Sequence, residues 1–270
     1  MTPECLTRYL GLLGVQKRLP SKDSLHELVQ AQMVKIPFEN LSKLYYKETH
    51  HLQGIPTLEL YLDGIERHHF GGTCYSNNYH FYQLLAALGY HIKLCGADMS
   101  DPDVHLVSVV TLEDREYLVD VGYAAPFLIP LPCDLQKKFT LSLGRDRYIL
   151  RPRDSTGRSR IELNRDGSPR HGYLVNPAPR QIHEFKRQID DSYRDDSTFM
   201  KTLLLARFFP DRSLVLHNLT VIESQGTVTK SHTLTSRDDL VQAINDYFSI
   251  SGELSKTIVM NMPLSGSAWN

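Results

Sequence analysis

The sequence predicts an α+β fold, in which helices and strands occupy separate stretches of the chain. Three observations support this prediction. The first 90 residues carry apolar side chains at helical spacing, and the middle of the chain carries short strand-like runs between turn-rich pieces. The last third carries both patterns. Alternating strand–helix units would instead indicate a parallel sheet, and this order of segments does not contain them.

The composition indicates a globular protein and leaves small, roughly neutral ligands open. Its 30 lysines and arginines balance 31 aspartates and glutamates, so the net charge favours neither nucleic acid nor an anionic membrane as a partner. No run approaches the roughly 18 consecutive apolar residues of a membrane span. The start "MTPECLTRYL" lacks the basic and then apolar order of a signal peptide. We therefore expect a cytoplasmic protein, with its oligomeric state left open.

The helical part is clearest in "SKDSLHELVQAQMVK". Ser21 is a suitable N-cap, and Leu25, Leu28 and Val29 fall on one face of a helix. Pro37 follows as a helix-ending residue. We expect a single helix between these two signals.

The strand-rich part begins near Ile92 and includes "HLVSVVTL", "EYLVDVGY", "KFTLSL" and "RYILRP". The closing part contains two further strand-like runs, "SLVLHNLTVIES" and "GTVTKSHTLTS", which we expect to form a small sheet over a cleft. The helical "SRDDLVQAINDYFSI" follows, and its amphipathic face is expected to pack behind that sheet.

One cysteine, Cys74, stands at the expected start of a helix whose apolar residues include Phe81 and Leu84. A thiol is nucleophilic as the thiolate, and the partial positive charge of a helix N-terminus favours that anion. Gly71 and Gly72 are expected to allow a tight turn and to bring free N–H groups close to the group under attack. The alternative is a buried structural cysteine.

A β-hairpin is predicted downstream in "DPDVHLVSVVTLEDREYLVDVGY". If its turn centres on Glu113 and Asp114, Asp120 lies opposite Val107 and His105 is its diagonal neighbour, within side-chain reach. A carboxylate in that position would hold one imidazole nitrogen as a donor and leave the other free to deprotonate a thiol. The alternative is a solvated histidine and an unconnected aspartate at a strand end.

The sequence resembles the arylamine N-acetyltransferase family. That family carries a Pro-Phe-Glu-Asn-Leu stretch, an Arg-Gly-Gly-x-Cys-x-Glu-x-Asn motif, a His before a strand and a Tyr-x-Val-Asp-x-Gly-Phe-type stretch. This chain has "IPFENL", "FGGTCYSNN", His105 and "YLVDVGY" in the same order. Its C-terminal "STFMKTLLLARFFP" and "DDLVQAINDYFSI" are also similar to the closing segments of the family, so the resemblance extends over most of the chain.

The resemblance implies three domains: a helical domain at 1–89, a β-barrel at 90–192 and an α/β lid at 193–270. It implies a Cys-His-Asp triad related in geometry to that of cysteine proteases, with Cys74 as nucleophile, His105 as base and Asp120 as its orienting partner. It further implies acetyl-coenzyme A as acyl donor, a ping-pong transfer through an acetyl-cysteine, and xenobiotic metabolism as the setting. The implied substrate pocket consists of Phe38, Val104 and Tyr123.

The sequence departs from the family motif at two positions beside the nucleophile. Phe70 stands where the family has Arg, and Ser76 stands where it has Glu. If those family residues form an ion pair, losing both together disturbs the site less than losing one. An apolar Phe70 next to Cys74 is expected to narrow or redirect the acceptor pocket.

Three other functions remain open at this point. A cysteine hydrolase or transglutaminase-like enzyme needs the same triad but admits water or a peptide. An ansamycin-type amide synthase also resembles the family and closes a macrolactam. An inactive binding homologue would explain the departures around Cys74.

No metal site is expected. The histidine pairs at 50–51 and 68–69 have no carboxylate or cysteine at ligand spacing, and Cys95 and Cys133 are interpreted as packing residues. The basic "RDRYILRPRDSTGRSR" is interpreted as a solvated turn region, with coenzyme A phosphates as the alternative ligand.

Overall fold

The structure is a computed structural model that describes residues 1–268. The α-helices of this region are α1 (Pro3–Leu13), α2 (Lys22–Lys35), α3 (Leu41–His50), α4 (Leu58–His68), α5 (Cys74–Ala87), α6 (Lys186–Asp191), α7 (Thr198–Lys201), α8 (Arg237–Phe248) and α9 (Gly252–Val259). A 3-10 helix at Ile182–Phe185 precedes α6.

The strands are β1 (Phe38–Glu39), β2 (His91–Asp98), β3 (His105–Leu112), β4 (Arg115–Val119), β5 (Leu131–Pro132), β6 (Phe139–Leu143), β7 (Asp146–Leu150), β8 (Ser159–Arg165), β9 (Ser168–Pro179), β10 (Leu204–Phe208), β11 (Arg212–His217), β12 (Thr220–Gln225) and β13 (Val228–Thr233). They form two sheets with antiparallel ladders. The larger has eight strands in the order β5-β4-β3-β2-β9-β8-β7-β6, and the smaller has five in the order β1-β10-β11-β12-β13. Helices precede the large sheet and flank the small one, which confirms the coarse α+β prediction.

The predicted helix in the N-terminal part is α2. Ser21 caps it, since its hydroxyl accepts a hydrogen bond from the Ser24 N–H at 3.1 Å. The helix ends at Lys35, two residues before Pro37, and Leu25, Leu28 and Val29 are all buried. Capping residue, apolar spacing and proline therefore all act as the sequence indicates.

The predicted hairpin is β3–β4, and its turn has the expected register. Leu112 pairs with Arg115, so the loop consists of Glu113 and Asp114, both with positive φ (48° and 61°). Two such residues make the tight turn whose twist suits a hairpin. Because Ser108 pairs with Val119, residues that share a face of the ribbon have opposite parity on the two strands, which places His105 and Asp120 on the same face.

The β8–β9 hairpin was not among the predicted strands. Its turn is Asp166-Gly167, both with positive φ, and β9 continues for 12 residues. The run "SLVLHNLTVIES" was also wrong as one strand, because the chain turns at Asn218 (φ 50°) between β11 and β12. Both turns use residue types that tolerate a left-handed backbone.

The small sheet is joined to the N-terminal helices through β1. Phe38 and Glu39 pair with Ala206 and Leu205 of β10. One apolar cluster is built from both ends of the chain, and its buried members are Leu41, Leu44, Tyr46, Phe70, Leu203, Leu205, Leu216, Val221, Leu240, Ile244, Phe248, Ile250, Ile258, Val259 and Met262.

None of the helices in residues 1–268 has the length and apolar character that crossing a membrane requires.

Candidate active site

Cys74 is the first residue of α5, and its side chain is half-buried. The helix is anchored through Phe81, Leu84 and Leu85, which are 0–1% exposed. Thr73 occupies the N-cap position but makes no side-chain capping hydrogen bond. The N–H groups of the first turn, which have no partner inside a helix, therefore receive no hydrogen bond acceptor from the cap side chain.

Gly71 acts differently from the prediction. The N–H of Gly71 is not free, because it donates to the carboxylate of Glu39 at 3.0 Å. A Cβ on Gly71 would overlap the carbonyl oxygen of Pro37. This glycine therefore lets the segment before the nucleophile lie directly against the "IPFENL" stretch.

Gly122 provides a second close approach. A Cβ at this position would lie 2.7 Å from the Cα of Cys74 and 2.8 Å from Nδ2 of Asn78. Such distances are shorter than carbon and nitrogen atoms tolerate. Glycine is thus the residue that allows the segment after β4 to contact the start of α5.

His105 and Asp120 are in contact, as the hairpin register predicts. Nε2 of His105 lies 2.8 Å from Oδ2 of Asp120, and the two residues are 1% and 2% exposed. Nδ1 of His105 is the nitrogen that this contact leaves for another partner.

The Asp120 carboxylate has three further donors. Oδ1 accepts from Nδ2 of Asn78 at 2.8 Å and from the Gly122 N–H at 3.0 Å, while Oδ2 also accepts from the Tyr173 hydroxyl at 2.7 Å. Burial favours the neutral acid, but the charge of His105 and these hydrogen bonds outweigh it, so the pKa of Asp120 is lowered.

Asn78 joins the helix of Cys74 to the hairpin of His105 and Asp120. Besides its bond to Asp120, its Nδ2 donates to the Leu106 carbonyl at 2.7 Å, and its Oδ1 accepts from the Val121 N–H at 2.8 Å. The side chain lies one helical turn after Cys74 and is 2% exposed. Its amide thus fixes α5 against both strands.

The pKa of His105 is set by its burial and by its neighbours Asp120 and Cys74. Burial opposes a charge on the imidazole, yet the Asp120 carboxylate, together with a smaller interaction with Cys74, raises its pKa to about 10. The ring is therefore an imidazolium at neutral pH. The interaction with Cys74 indicates that its side chain lies near the imidazole, whose Nε2 contacts Asp120.

The site opens into a cavity of about 870 Å³. Five of the residues selected from the sequence line it, namely Phe38, Cys74, Val104, His105 and Tyr123. Asp120 does not, because it lies behind His105. Lys43 and His171 also line this cavity and were not selected from the sequence.

Aromatic rings surround His105, with Tyr123 in the cavity wall and Tyr173 buried behind it. The Tyr173 ring lies 4.9 Å from the His105 ring, and the Tyr123 ring lies 4.9 Å from that of Tyr173. A hydrogen bond of 2.7 Å joins the Tyr123 hydroxyl to Nδ1 of His171. These contacts fix the orientation of Tyr123 at the cavity surface.

Phe70 does not narrow the cavity, so that expectation was wrong. It is 1% exposed, does not line the cavity, and packs against Tyr45, Tyr46 and His68 at ring distances of 5.2–5.8 Å. Its side chain points into the apolar cluster shared with the small sheet, away from Cys74. Phe70, which stands where the family has Arg, therefore affects the packing behind the segment that precedes Cys74.

The surroundings of Cys95, Cys133 and the basic segment give each of them a structural role. Burial raises the pKa of Cys95 to about 12 and also raises that of Cys133, so both thiols are protonated packing groups. Several arginines of the basic segment pair with carboxylates, such as Arg151 with Glu162 at 2.7 Å. Residues 1–268 contain no cluster of three or more side chains suited to hold a metal ion.

Comparison with protein families gives one match over most of the chain. A family model described as N-acetyltransferase matches residues 22–257. The chain is also 29% identical over 230 residues to the pineal gland arylamine N-acetyltransferase isozyme NAT-3 of Gallus gallus, which covers 76% of this chain and 78% of that protein.

Solved structures with the same fold carry the same name. The Nocardia farcinica arylamine N-acetyltransferase superposes with a TM-score of 0.79 at 26% identity, covering 96% of this chain and 94% of its own. The Mycobacterium marinum arylamine N-acetyltransferase, described as a complex with CoA, superposes with a TM-score of 0.78 at 22% identity, covering 94% and 98% of the two chains.

Proposed function

The chain belongs to the arylamine N-acetyltransferase family, and on that premise we propose that it transfers an acetyl group from acetyl-coenzyme A to a small aromatic amine or hydrazine. The acetyl group passes through a thioester on Cys74. The observation that carries this proposal is the buried His105–Asp120 contact beside a cysteine that opens into a cavity. A merely structural cysteine has no need of a charged, oriented imidazole at its side.

The first half-reaction acetylates Cys74. The thiolate attacks the carbonyl carbon of acetyl-coenzyme A, the C–S bond to coenzyme A breaks, and the coenzyme leaves as a thiolate that takes the proton from Nδ1 of His105. Asp120 holds the opposite nitrogen and stabilises the imidazolium before this transfer. The products are acetyl-Cys74, a neutral His105 and free coenzyme A.

The second half-reaction returns the enzyme to its starting state. The amine nitrogen attacks the thioester carbonyl, the bond from carbon to Sγ of Cys74 breaks, and the neutral His105 accepts a proton from the amine. Low basicity keeps aromatic amines and hydrazines uncharged near pH 7, so they arrive as nucleophiles. The thiolate–imidazolium pair is thereby restored.

The start of α5 is suited to stabilise the oxyanion of both steps. The first-turn N–H groups lack a side-chain cap, and the helix dipole places partial positive charge there. Such donors act on charge that develops in the transition state, and removing one from a protease costs about 100-fold to 1000-fold in turnover.

The cavity wall favours an aromatic acceptor. Phe38 and Phe199 line it with ring centroids 5.6 Å apart, and Tyr123 and Val104 contribute further surface. Rings of this kind stack on a planar acceptor and exclude water from the thioester.

The domain division at 1–89, 90–192 and 193–270 is part of this proposal, with the eight-stranded sheet as the barrel. The cover over the cleft differs from the one expected from the sequence. The small sheet forms, but its strands β11–β13 contribute no described residue to the cavity wall. The wall residues from this third are Asp196, Ser197, Thr198, Phe199, Leu204 and Ala268.

Mass spectrometry of the intact protein and its peptides tests the proposal. Brief incubation with acetyl-coenzyme A should add one acetyl group, located on the peptide that contains Cys74, and Cys74→Ala should abolish it. Cys95→Ala is the matched control and should acetylate as the wild type does, because its thiol is buried and protonated. A label on Cys95 or Cys133 with Cys74 unmodified would contradict the assignment.

A second measurement separates transfer from hydrolysis. Adding a small aromatic amine or hydrazine should remove the acetyl group from Cys74 as acetylated amine, faster than acetate appears without it. Acetate release at one rate regardless of the amine, together with cleavage of esters or peptides, would identify a hydrolase. Absence of any acyl adduct would identify an inactive homologue.

A further inference from the structure

Lys43 is a buried lysine in the wall of the active-site cavity. It lies in the first turn of α3 and is 8% exposed. Its Nζ donates to the carbonyl oxygen of Ser192 at 2.6 Å and to the Ser192 hydroxyl at 3.0 Å, and it lies 4.3 Å from the centre of the Tyr193 ring. An ammonium has three donors, so two are used by neutral groups of one residue.

No carboxylate in the described part of the chain forms an ion pair with Lys43. Lys47, one turn further along α3, pairs with Asp195 at 3.0 Å, although both are more exposed. Two of the three acidic residues of the cavity wall have other cations, since Asp191 pairs with Arg187 at 3.7 Å and Asp196 with Arg194 at 3.3 Å. The third, Asp101, accepts a hydrogen bond from the Ser100 hydroxyl at 3.4 Å. Within residues 1–268, Lys43 is therefore a buried lysine that pairs with no carboxylate, and of its neighbours Cys74 favours the charged form.

A buried ammonium without a carboxylate partner is costly, and a purely structural position does not require it. Burial lowers the pKa of Lys43 to about 7; the nearby Cys74 opposes this shift and Lys47 adds to it. Glutamine or methionine would fill the same space without this cost. The position is therefore suited to an anion that arrives from the cavity.

The surrounding wall specifies what carries that anion. Phe38, which precedes Lys43 by five residues, and Phe199 present aromatic rings to the same cavity. Lys43 and Cys74 line the same cavity as these rings, so an acceptor bound there can present its amine to Cys74 and a ring substituent to the ammonium. A carboxylate matches the charge, and it accepts the third Nζ hydrogen.

We propose that Lys43 selects acceptors whose aromatic ring carries a carboxylate, by forming an ion pair with it while the amine faces Cys74. This inference rests on the proposed acetyl transfer, because that reaction makes the bound aromatic amine an acetyl acceptor. The ion pair itself concerns binding only and is measurable without turnover.

Protection of Cys74 from alkylation tests the binding step. Iodoacetamide labels the free thiol, and the concentrations of 4-aminobenzoate and 4-aminobenzamide that slow labelling give their dissociation constants. Lys43→Gln should weaken protection by 4-aminobenzoate about 10-fold to 100-fold, the range of a hydrogen bond to a charged group, and change protection by the neutral amide less than about 3-fold.

Two variants serve as controls. Lys47→Gln removes a lysine from the same helix that does not line the cavity, so it should leave protection by 4-aminobenzamide unchanged. It should not weaken protection by 4-aminobenzoate, because losing Lys47 favours the charged form of Lys43. Lys43→Arg keeps the charge and should retain most of the preference for the carboxylate. Equal weakening of both ligands by Lys43→Gln, or no weakening of either, would overturn the proposal in favour of a structural role.

Steady-state turnover with acetyl-coenzyme A tests whether the carboxylate bound by Lys43 is carried by the acceptor. Lys43→Gln should raise KM for 4-aminobenzoate and leave kcat nearly unchanged. If the variant instead alters the preference between malonyl- and acetyl-coenzyme A with a neutral acceptor, the carboxylate belongs to the donor and the assignment is wrong. Absence of acetyl transfer to any amine, with intact selective protection, would reject the proposed function but not the anion site.

Discussion

Asp120 stays ionised inside the protein because each carboxylate oxygen receives two donors. Asn78 and the Gly122 N–H donate to Oδ1, and His105 and Tyr173 donate to Oδ2. A buried carboxylate with this many donors prefers its charged form, and that charge in turn holds the proton on His105. Tyr173 and Asn78 are therefore positioning residues that act through Asp120.

Substitutions at Asp120 and Tyr173 should differ in severity. Asp120→Asn should strongly reduce the single-turnover rate of Cys74 acetylation, because an amide neither balances an imidazolium nor fixes its tautomer. The equivalent change in a serine protease costs about four orders of magnitude in turnover. Tyr173→Phe leaves three donors and should reduce the rate by about 10-fold to 100-fold, the range of one hydrogen bond to a charged group.

Melting temperatures measured beside these rates provide the control. Both variants should remain folded at the assay temperature, so that a slower rate reports the histidine and not unfolding. A folded Asp120→Asn variant that acetylates at the wild-type rate would remove Asp120 from the proposed triad.

The charge on His105 also predicts how stability depends on pH. Its pKa is raised from 6.5 to about 10 on folding, so its contribution is fully present below pH 6.5 and is lost as the pH rises towards 10. The lowered pKa of Asp120 contributes stability above its ordinary value of 3.8, which is lost as the pH falls through the lowered value. Thermal melts from pH 6.5 to 10 should show falling stability in the wild type and a smaller slope in His105→Gln. Equal slopes would contradict a charged His105.

At the level of elements, the site depends on how closely α5 approaches the segment after β4. Gly122→Ala should push these two elements apart, because the added Cβ would lie 2.7 Å from the Cα of Cys74. We expect slower acetylation of Cys74 and a lower melting temperature. Gly11→Ala is the control, since its Cβ meets no atom within 4 Å on α1, where alanine typically adds about 0.5–1 kcal/mol of stability. A Gly122→Ala variant with wild-type acetylation would show that the segment shifts without disturbing the site.

The hairpin explains why part of the site was predictable. Loop parity alone places His105 and Asp120 on one face, and the structure has the two-residue loop that this argument requires. Tyr173 was not found, because its strand β9 was not recognised. The Asp166-Gly167 dipeptide between "SRIELNR" and "SPRHGYLV" is a strong hairpin signal that would have revealed the strand.

Phe70 shows what local sequence does not specify. The residue is four positions from Cys74, yet its side chain belongs to a cluster with Leu205, Leu216 and Phe248 from the other end of the chain. Lys43 is a similar case, because its partner Ser192 is 149 residues away. Direction and burial of a side chain depend on such distant contacts, which no short motif contains.

At the scale of the whole molecule, the apolar cluster around Phe70 joins the C-terminal third of the chain to the N-terminal helices, so that both belong to one folding unit. Leu41 and Leu44 of α3 and Phe70 are covered by residues from β11, β12, α8 and α9. The strand β1, which carries Phe38 of the cavity wall, is hydrogen-bonded to β10 of the small sheet. The helices that position Cys74 are therefore stabilised by a segment that lies more than a hundred residues further along the chain.

Truncating the chain before Ser213 should consequently prevent cooperative folding. The deletion removes nine buried members of the cluster, namely Leu216, Val221, Leu240, Ile244, Phe248, Ile250, Ile258, Val259 and Met262. Each such side chain contributes about 1.5–3 kcal/mol on burial, so their sum of about 14–27 kcal/mol equals or exceeds the roughly 5–15 kcal/mol by which a domain is normally stable. Circular dichroism should show no cooperative thermal transition for residues 1–212. Ile244→Ala is the graded comparison: a loss of about 2–5 kcal/mol should leave a folded protein that still acetylates Cys74 at low temperature. A soluble fragment that melts cooperatively and acetylates Cys74 would show instead that the C-terminal third acts only as a cover over an independently folded site.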